Sequence, residues 1–229
     1  MKNVIVIIKK QIKDTIKNKT VLIQFVLFPV MTLIMENAMK IKDMPELFIT
    51  KLFSVMYIGM APLTAVAAII SEEKEKNTLR VLMMANVAPG QYLTGVGIYV
   101  WTVCMAGAAV MATGFEQKDI LLYLATMGIG FAISIVLGGC IGIFANNQMA
   151  ATSLVMPVMA VLSFGPMLAL FNDTIEKAAR FLYTQQIRVF LDNMTVDRST
   201  GKGAVIIAVN AAVLILLFFT AFKRKELGK

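Results

Sequence analysis

The chain has 229 residues, of which 58% are hydrophobic and only 16% charged, against roughly a quarter charged in a soluble domain. Apolar runs, each near the ~20 residues that cross a bilayer, are spread along the whole length, which leaves no stretch for a soluble catalytic domain. The net charge of +8 points to an anionic membrane leaflet, and membrane lipids rather than nucleic acid are the expected surroundings. The absence of histidine removes the commonest general base and metal ligand. Cys104 and Cys140 stand alone inside apolar runs without ligand spacing, and read as small buried hydrophobes. Neither catalysis, a metal nor a cofactor is expected of this chain.

Residues 1–19 place Ile5, Ile8, Ile12 and Ile16 on one helical face with Lys9, Lys13 and Lys17 beside it, the pattern of an interfacial helix with snorkelling lysines. No small-residue cleavage site follows, so no removable signal peptide is expected. Span one is expected over Thr20–Met35, interrupted by Pro29, and Glu36–Lys51 is a polar loop. Span two covers Leu52–Ile70, with Pro62 as a kink.

The stretch Ser71–Val96 is the one charged, motif-like segment between two long apolar runs. Glu72–Lys76 form a dense charged turn, and Leu79, Leu82 and Met83 follow at the i, i+3, i+4 spacing of an apolar stripe. One short amphipathic helix with a charged start is predicted over 71–90, ended by the turn residues Asn86–Gly90.

Span three is expected over Tyr92–Phe115, and the short link Glu116–Asp119 returns span four, Ile120–Ala145, antiparallel. Ser134, Gly138 and Gly142 recur in it every four residues, which reads as a helix-packing seam, a subunit interface among the possibilities. Asn146–Gln148 turns the chain into span five, Met149–Phe171, where Pro157 and Pro166 predict a bent or broken helix. The segment 172–203 is amphipathic: Asp173 and Glu176 fit a capping box, and Ile175, Ala179, Leu182, Tyr183, Ile187, Phe190, Leu191 and Met194 follow helical periodicity, one or two helices at the interface or dipping into it. Thr195–Gly203 is a polar turn. Span six runs from Ala204 to Phe222, closed by Lys223, Arg224 and Lys225.

Six spans put both termini and the 71–90 stretch on one side. That side carries thirteen of the 22 basic residues, six before span one, three in the stretch and four at the C-terminus. The positive-inside rule places it in the cytoplasm, with the chain multi-pass in the cell membrane. No charge lies within spans two to six, and span one carries only Glu36 at its end, which disfavours an ion-coupled pump. No G-x-x-x-x-G-K-[ST] loop is present, so any energy from nucleotide comes through a partner.

Glu73, Lys74, Glu75, Thr78, Leu79, Leu82, Val87 and Gly95 stand in a pattern that resembles the cytoplasmic signature of the membrane subunits of type-two ABC exporters, approximately E-K-E-R-G-T-L-E-x-L-L-x-S-P-V followed by G-K. Lys76 and Met83 are conservative replacements, while Asn77, Arg80, Asn86 and Val96 depart from it. The layout of the whole chain is also similar. The resemblance implies a cytoplasmic ATPase subunit that carries the ATP and Mg, and a second permease, identical or related, across whose interface substrate leaves the cell. It makes the 71–90 helix a coupling helix. On that reading Leu79, Leu82 and Met83 fill a groove of the ATPase, Glu72, Glu73 and Glu75 pair with its basic rim, and Thr78 belongs to the same surface.

By the same resemblance the 172–203 segment is an external lid, where Tyr183, Gln185, Gln186 and Arg188 meet substrate. Phe53, Tyr57, Met60, Met156, Met159 and Phe164 of spans two and five line an apolar route. The expectation is thus a single all-α permease domain over 1–229 that exports a hydrophobic or amphipathic substrate, such as an antimicrobial peptide or drug. A passive channel or secondary carrier, or a non-transporting immunity protein, are the alternatives.

Overall fold

A computed structural model describes residues 2–38, 45–194 and 198–224; the middle of the expected Glu36–Lys51 loop, the start of the 195–203 turn, the side chains of Ile16 and Lys17, and the closing Lys223–Lys225 cluster lie outside the residues or side chains it describes. Ten α-helices and one 3-10 turn make up the regular structure, with no strand among the described residues. They are α1 (Lys2–Lys17), α2 (Lys19–Ala38), α3 (Phe48–Glu75), α4 (Thr78–Met84), α5 (Pro89–Met111), α6 (Gln117–Phe144), α7 (Gln148–Leu168), α8 (Asp173–Ala179), α9 (Tyr183–Asn193) and α10 (Arg198–Arg224). Six of them, α2, α3, α5, α6, α7 and α10, are long and apolar enough to cross a membrane. The polar turn expected over 195–203 is shorter than that, because α10 begins at Arg198.

The organising element is α3. Its most apolar window is 72% buried, against 6% for α10, and it packs on α2, α5, α6, α7 and α9. Its start is held by Glu36 at the end of α2, whose carboxylate accepts the Thr50 backbone N–H at 3.0 Å and the Thr50 hydroxyl at 2.9 Å. An anion there complements the positive end of the helix dipole.

The seam between α3 and α6 explains why the second half of α6 is rich in small residues. A Cβ on Gly138 would stand 2.6 Å from the Leu63 carbonyl oxygen, and one on Gly142 2.8 Å from Ile70 Cβ. Ser134, one turn earlier, donates to the Ile58 carbonyl at 2.7 Å. The four-residue repeat is therefore a packing seam within the chain, where backbones approach as small residues allow.

Around Tyr57 an aromatic cluster forms with Phe28, Phe53 nearby on Phe28, and Phe131, edge-on at 5.3 Å. The Tyr57 hydroxyl donates to the Phe25 carbonyl at 3.1 Å, which keeps a phenol buried in an apolar interior satisfied. The helices α2 and α7 run unbroken through Pro29 and through Pro157 and Pro166, so the breaks expected at these prolines are absent. The short α9 wedges between spans: Tyr183 is buried and bonds the Ser134 hydroxyl at 2.7 Å, and Ile187 packs over Gly130.

A methyl group at position 138 has only backbone to collide with. Gly138→Ala is expected to separate α3 from α6 and cost about 1–3 kcal/mol, read as a lowered midpoint of thermal unfolding in detergent. Gly97→Ala, where the added Cβ meets only Ile135 Cγ2 at 3.4 Å, is expected to leave that midpoint unchanged.

Candidate functional site

The charged run Glu72–Lys76 does not begin the short helix. It ends α3, which continues past its apolar part to Glu75. The chain breaks at Asn77, in left-handed conformation with φ 56°, and only then forms α4. The expected single helix over 71–90 is thus the end of α3, a bend, α4, a second bend and the start of α5. Asparagine is the non-glycine residue best suited to left-handed geometry, which accounts for its place where the resembling signature has glycine. Asn86 has φ 62° and closes α4: its own N–H bonds Met83 O at 3.1 Å, and that of Val87 bonds Leu82 O at 3.2 Å. Those are the two bonds of a Schellman cap, formed without the signature's proline.

The charged side chains at the end of α3 reach three neighbouring helices. Glu73 is buried, and its Oε1 accepts from Lys10 Nζ at 2.5 Å and Gln11 Nε2 at 2.6 Å, both on α1. Lys74 Nζ donates to the Ile143 carbonyl at 2.8 Å and to that of Ala145, at the last turn of α6. A cation there satisfies carbonyls left without helical partners and meets the negative end of the dipole. Glu75 accepts the Gln148 backbone N–H at 2.9 Å at the first turn of α7, where an anion is favoured. Glu72 pairs with Lys76 and accepts from Gln148 Nε2 at 3.2 Å. Four elements, α1, α3, α6 and α7, therefore meet at one junction.

On α1 the buried positions are Ile7, Gln11 and Thr15, whereas Ile5 and Ile12 are exposed. The exposed isoleucines are those read as membrane-facing; the inner stripe at i, i+4, i+8 went unread because it is only partly apolar. Gly95 lets α1 lie against α5, since a Cβ there would come within 2.9 Å of Ile7 Cβ. Asn3 donates to Gln91 Oε1 at 2.9 Å, and the same oxygen accepts the Ala88 N–H at 3.3 Å. The Tyr92 hydroxyl and the second oxygen of Glu73 are both buried without a hydrogen-bond partner among the described residues. Between α1 and the end of α3 a polar cleft of about 710 Å³ remains, lined by Lys10, Asp14, Asn18, Glu72, Lys76 and Thr78 among others. Burial opposes the charge on Lys10, but its bonds to Glu73 and Asp14 outweigh it and raise the pKa above the usual 10.5.

The residues expected to meet an ATPase divide accordingly. Leu79 is buried in the chain's own core, and Leu82 and Met83 pack partly against it. They fasten α4 to the bundle. The carboxylates of Glu72, Glu73 and Glu75 are engaged within the chain. Thr78 is half-buried at the edge of the cleft. The side of α4 turned outward consists of Arg80, Val81 and Met84, the last two 57% and 72% exposed. Among the residues expected along a substrate route, Tyr57 and Tyr183 are core residues. Met60 is half-buried, and Met156 and Phe164 are exposed on α7. Gln185 is buried and accepts from Arg188 Nε at 3.2 Å, while Arg188 pairs with Asp192 at 2.9 Å.

Compared with known families, residues 1–222 match the family model described as ABC-2 family transporter protein. No curated protein matches the chain.

Removing the Glu73 carboxylate takes two hydrogen bonds from α1. Glu73→Ala is expected to destabilise the docked helix by about 3 kcal/mol, read as faster proteolysis within residues 2–17 of the reconstituted protein. The Lys10 contribution has a definite sign. A raised folded-state pKa stabilises fully below the unfolded value and is lost as pH rises through the folded one. Proteolysis of α1 is therefore expected to stay flat up to about pH 10.5 and rise above it, with a smaller rise in Glu73→Gln, where the pairing that raises the folded-state value is weakened. At the bend, Asn77→Ala is expected to cost about 1 kcal/mol in thermal unfolding, and Asn77→Gly nothing.

Proposed function

Since the chain belongs to the ABC-2 family of transporter proteins, we propose that it is the membrane subunit of an ATP-driven exporter, coupled through α4 to an ATPase on a separate chain. The observation that carries this reading is the charged junction. The helix α4 stands at its tip with Arg80, Val81 and Met84 outward and Leu79 inward. A force applied to the outward face reaches α3 across one bend, and α1, α6 and α7 through Glu73, Lys74 and Glu75. A packed, multiply hydrogen-bonded junction moves as a body rather than deforming, which is what coupling by a rigid push requires.

In this proposal both termini and the junction are cytoplasmic, as the distribution of basic residues favours, and the chain lies in the cell membrane. The helix α1 rests on the inner leaflet with Ile5 and Ile12 toward lipid. ATP and its Mg belong to the partner ATPase. A second permease subunit, a copy or a relative, completes the transporter. The substrate is hydrophobic or amphipathic, a peptide or drug, because the surface that Met156 and Phe164 leave on α7 is apolar. Export is the direction that the resemblance of the 73–95 signature supports. The α8–α9 segment is the external lid.

The docking face is tested by Val81→Asp with Met84→Asp, both exposed and thus harmless to folding. The doubly substituted chain is expected to lose the co-purifying ATPase and ATP-driven transport while keeping its thermal midpoint. Retention of the ATPase and of transport would remove α4 from the coupling role. Leu79→Asp does not test this, because a buried charge unfolds α4 by itself.

A further inference from the structure

On the lipid-facing side of the bundle, away from the junction, α6, α9 and α10 enclose an apolar groove of about 160 Å³. Its walls are Ile129 of α6, Ile187, Val189 and Phe190 of α9, and Ala204 and Ile207 of α10, with the polar Asn193 at the end of α9. Thr126 also lines it, but its hydroxyl is turned back to the Leu122 carbonyl at 2.8 Å. At the mouth, Gly203 lies against Gln186, whose Oε1 would be 2.9 Å from a Cβ at that position. Along α10 the lining residues Gly203, Ala204 and Ile207 stand roughly 3–9 Å inside the apolar run that begins at Gly201. That depth is the outer edge of the hydrocarbon, directly beneath the headgroup layer.

An apolar hollow at that depth is filled by lipid chains or by protein. Size decides between them. An engineered cavity of about 150 Å³ accepts a molecule as small as benzene, whereas a helix is about 10 Å across, so a segment of acyl chain fits and a second subunit's helix does not. The mouth selects among lipids by charge. Lys202, exposed, precedes the Gly203 wall. The Arg180 carbonyl accepts from Gln186 Nε2 at 2.5 Å, and its exposed guanidinium lies over the Phe181 ring at 4.7 Å. Of the nearby acids, Asp192 is paired with Arg188, and Glu176, one helical turn before Arg180 on the same face of α8, is outnumbered there by Lys177 and Arg180.

We propose that this groove is a lipid-binding site that holds one acyl chain of an anionic phospholipid, with the phosphate resting on Arg180 and Lys202. The lipid fastens α10, the least buried span, to α9 and α6.

The site is tested with the full chain in nanodiscs that contain phosphatidylglycerol carrying a photoreactive diazirine in its acyl chain, with cross-linked positions mapped by mass spectrometry. Labelling is expected to concentrate on Ile129, Phe190 and Ile207 relative to Val213 and Leu217, which are exposed on the same α10. Arg180→Gln and Lys202→Gln are each expected to lower groove labelling roughly fivefold and to leave Leu217 unaffected. Ala204→Phe, which fills the groove, is expected to abolish it. Equal labelling by a phosphatidylcholine probe, or labels spread evenly along α10, would overturn the proposal. So would groove positions labelled only after the assembled transporter is dissociated, since a second subunit would then be the occupant.

Discussion

Four consecutive side chains at the end of α3 reach three neighbouring helices, because successive residues of an α-helix are turned by about 100°. Glu73 thereby reaches α1, Lys74 the end of α6, and Glu72 and Glu75 together Gln148 at the start of α7, without any loop to carry them. The signs are those the neighbours require: a cation at the carbonyl end of α6, an anion at the amide end of α7. A buried carboxylate is tolerable at position 73 because Lys10 and Gln11 both converge on it; alone it would cost far more than packing could offset. Such a junction resists partial change, since loosening any one bond leaves a charged group half-buried.

The rest of the bundle extends this rigidity through the membrane. The helix α3 runs 28 residues, roughly 42 Å at 1.5 Å per residue, and is held at one end by the junction and at the other by Glu36 on Thr50. Along its length Gly138, Gly142 and Ser134 bring α6 against its backbone. Small residues do this work in a bilayer, where burying apolar surface between helices yields little over leaving it in lipid. By contrast α10 touches chiefly α6 and α9, and its exposed face carries Val205, Val209, Val213 and Leu217. A well-packed half built on α3 and a lightly held last span thus coexist in one ABC-2 permease fold.

At the end away from the junction, α9 is tied in by Tyr183, Ser134 and the Ile58 carbonyl, a continuous hydrogen-bonded run from α9 through α6 to α3. The junction and the α9 wedge are therefore attached to the same two helices, α3 and α6. This connects the end of α3 to α9 through elements that share backbone contact, with Tyr183 a structural member of that path.

The sequence by itself determined the six apolar helices, the break between spans two and three, and the amphipathic segment before span six, because helix length and hydropathy are local quantities that the bilayer reads directly. It also identified the 73–95 signature and the seam residues Ser134, Gly138 and Gly142. What it left open was the direction each of those features faces. Periodicity grouped Leu79, Leu82 and Met83 as one stripe, and a stripe has the same spacing whether it meets a partner or its own core. Only the left-handed turn at Asn77, which sets the angle between α3 and α4, turned Leu79 inward and left Arg80, Val81 and Met84 outward. Likewise the four-residue repeat of α6 is equally suited to another subunit or to α3, and the partner is chosen by which helix the connections bring alongside. The pairing of Glu73 with α1, across 63 residues of chain, belongs wholly to tertiary structure: charge attracts charge at a distance in space, and only the folded chain determines which charges become neighbours.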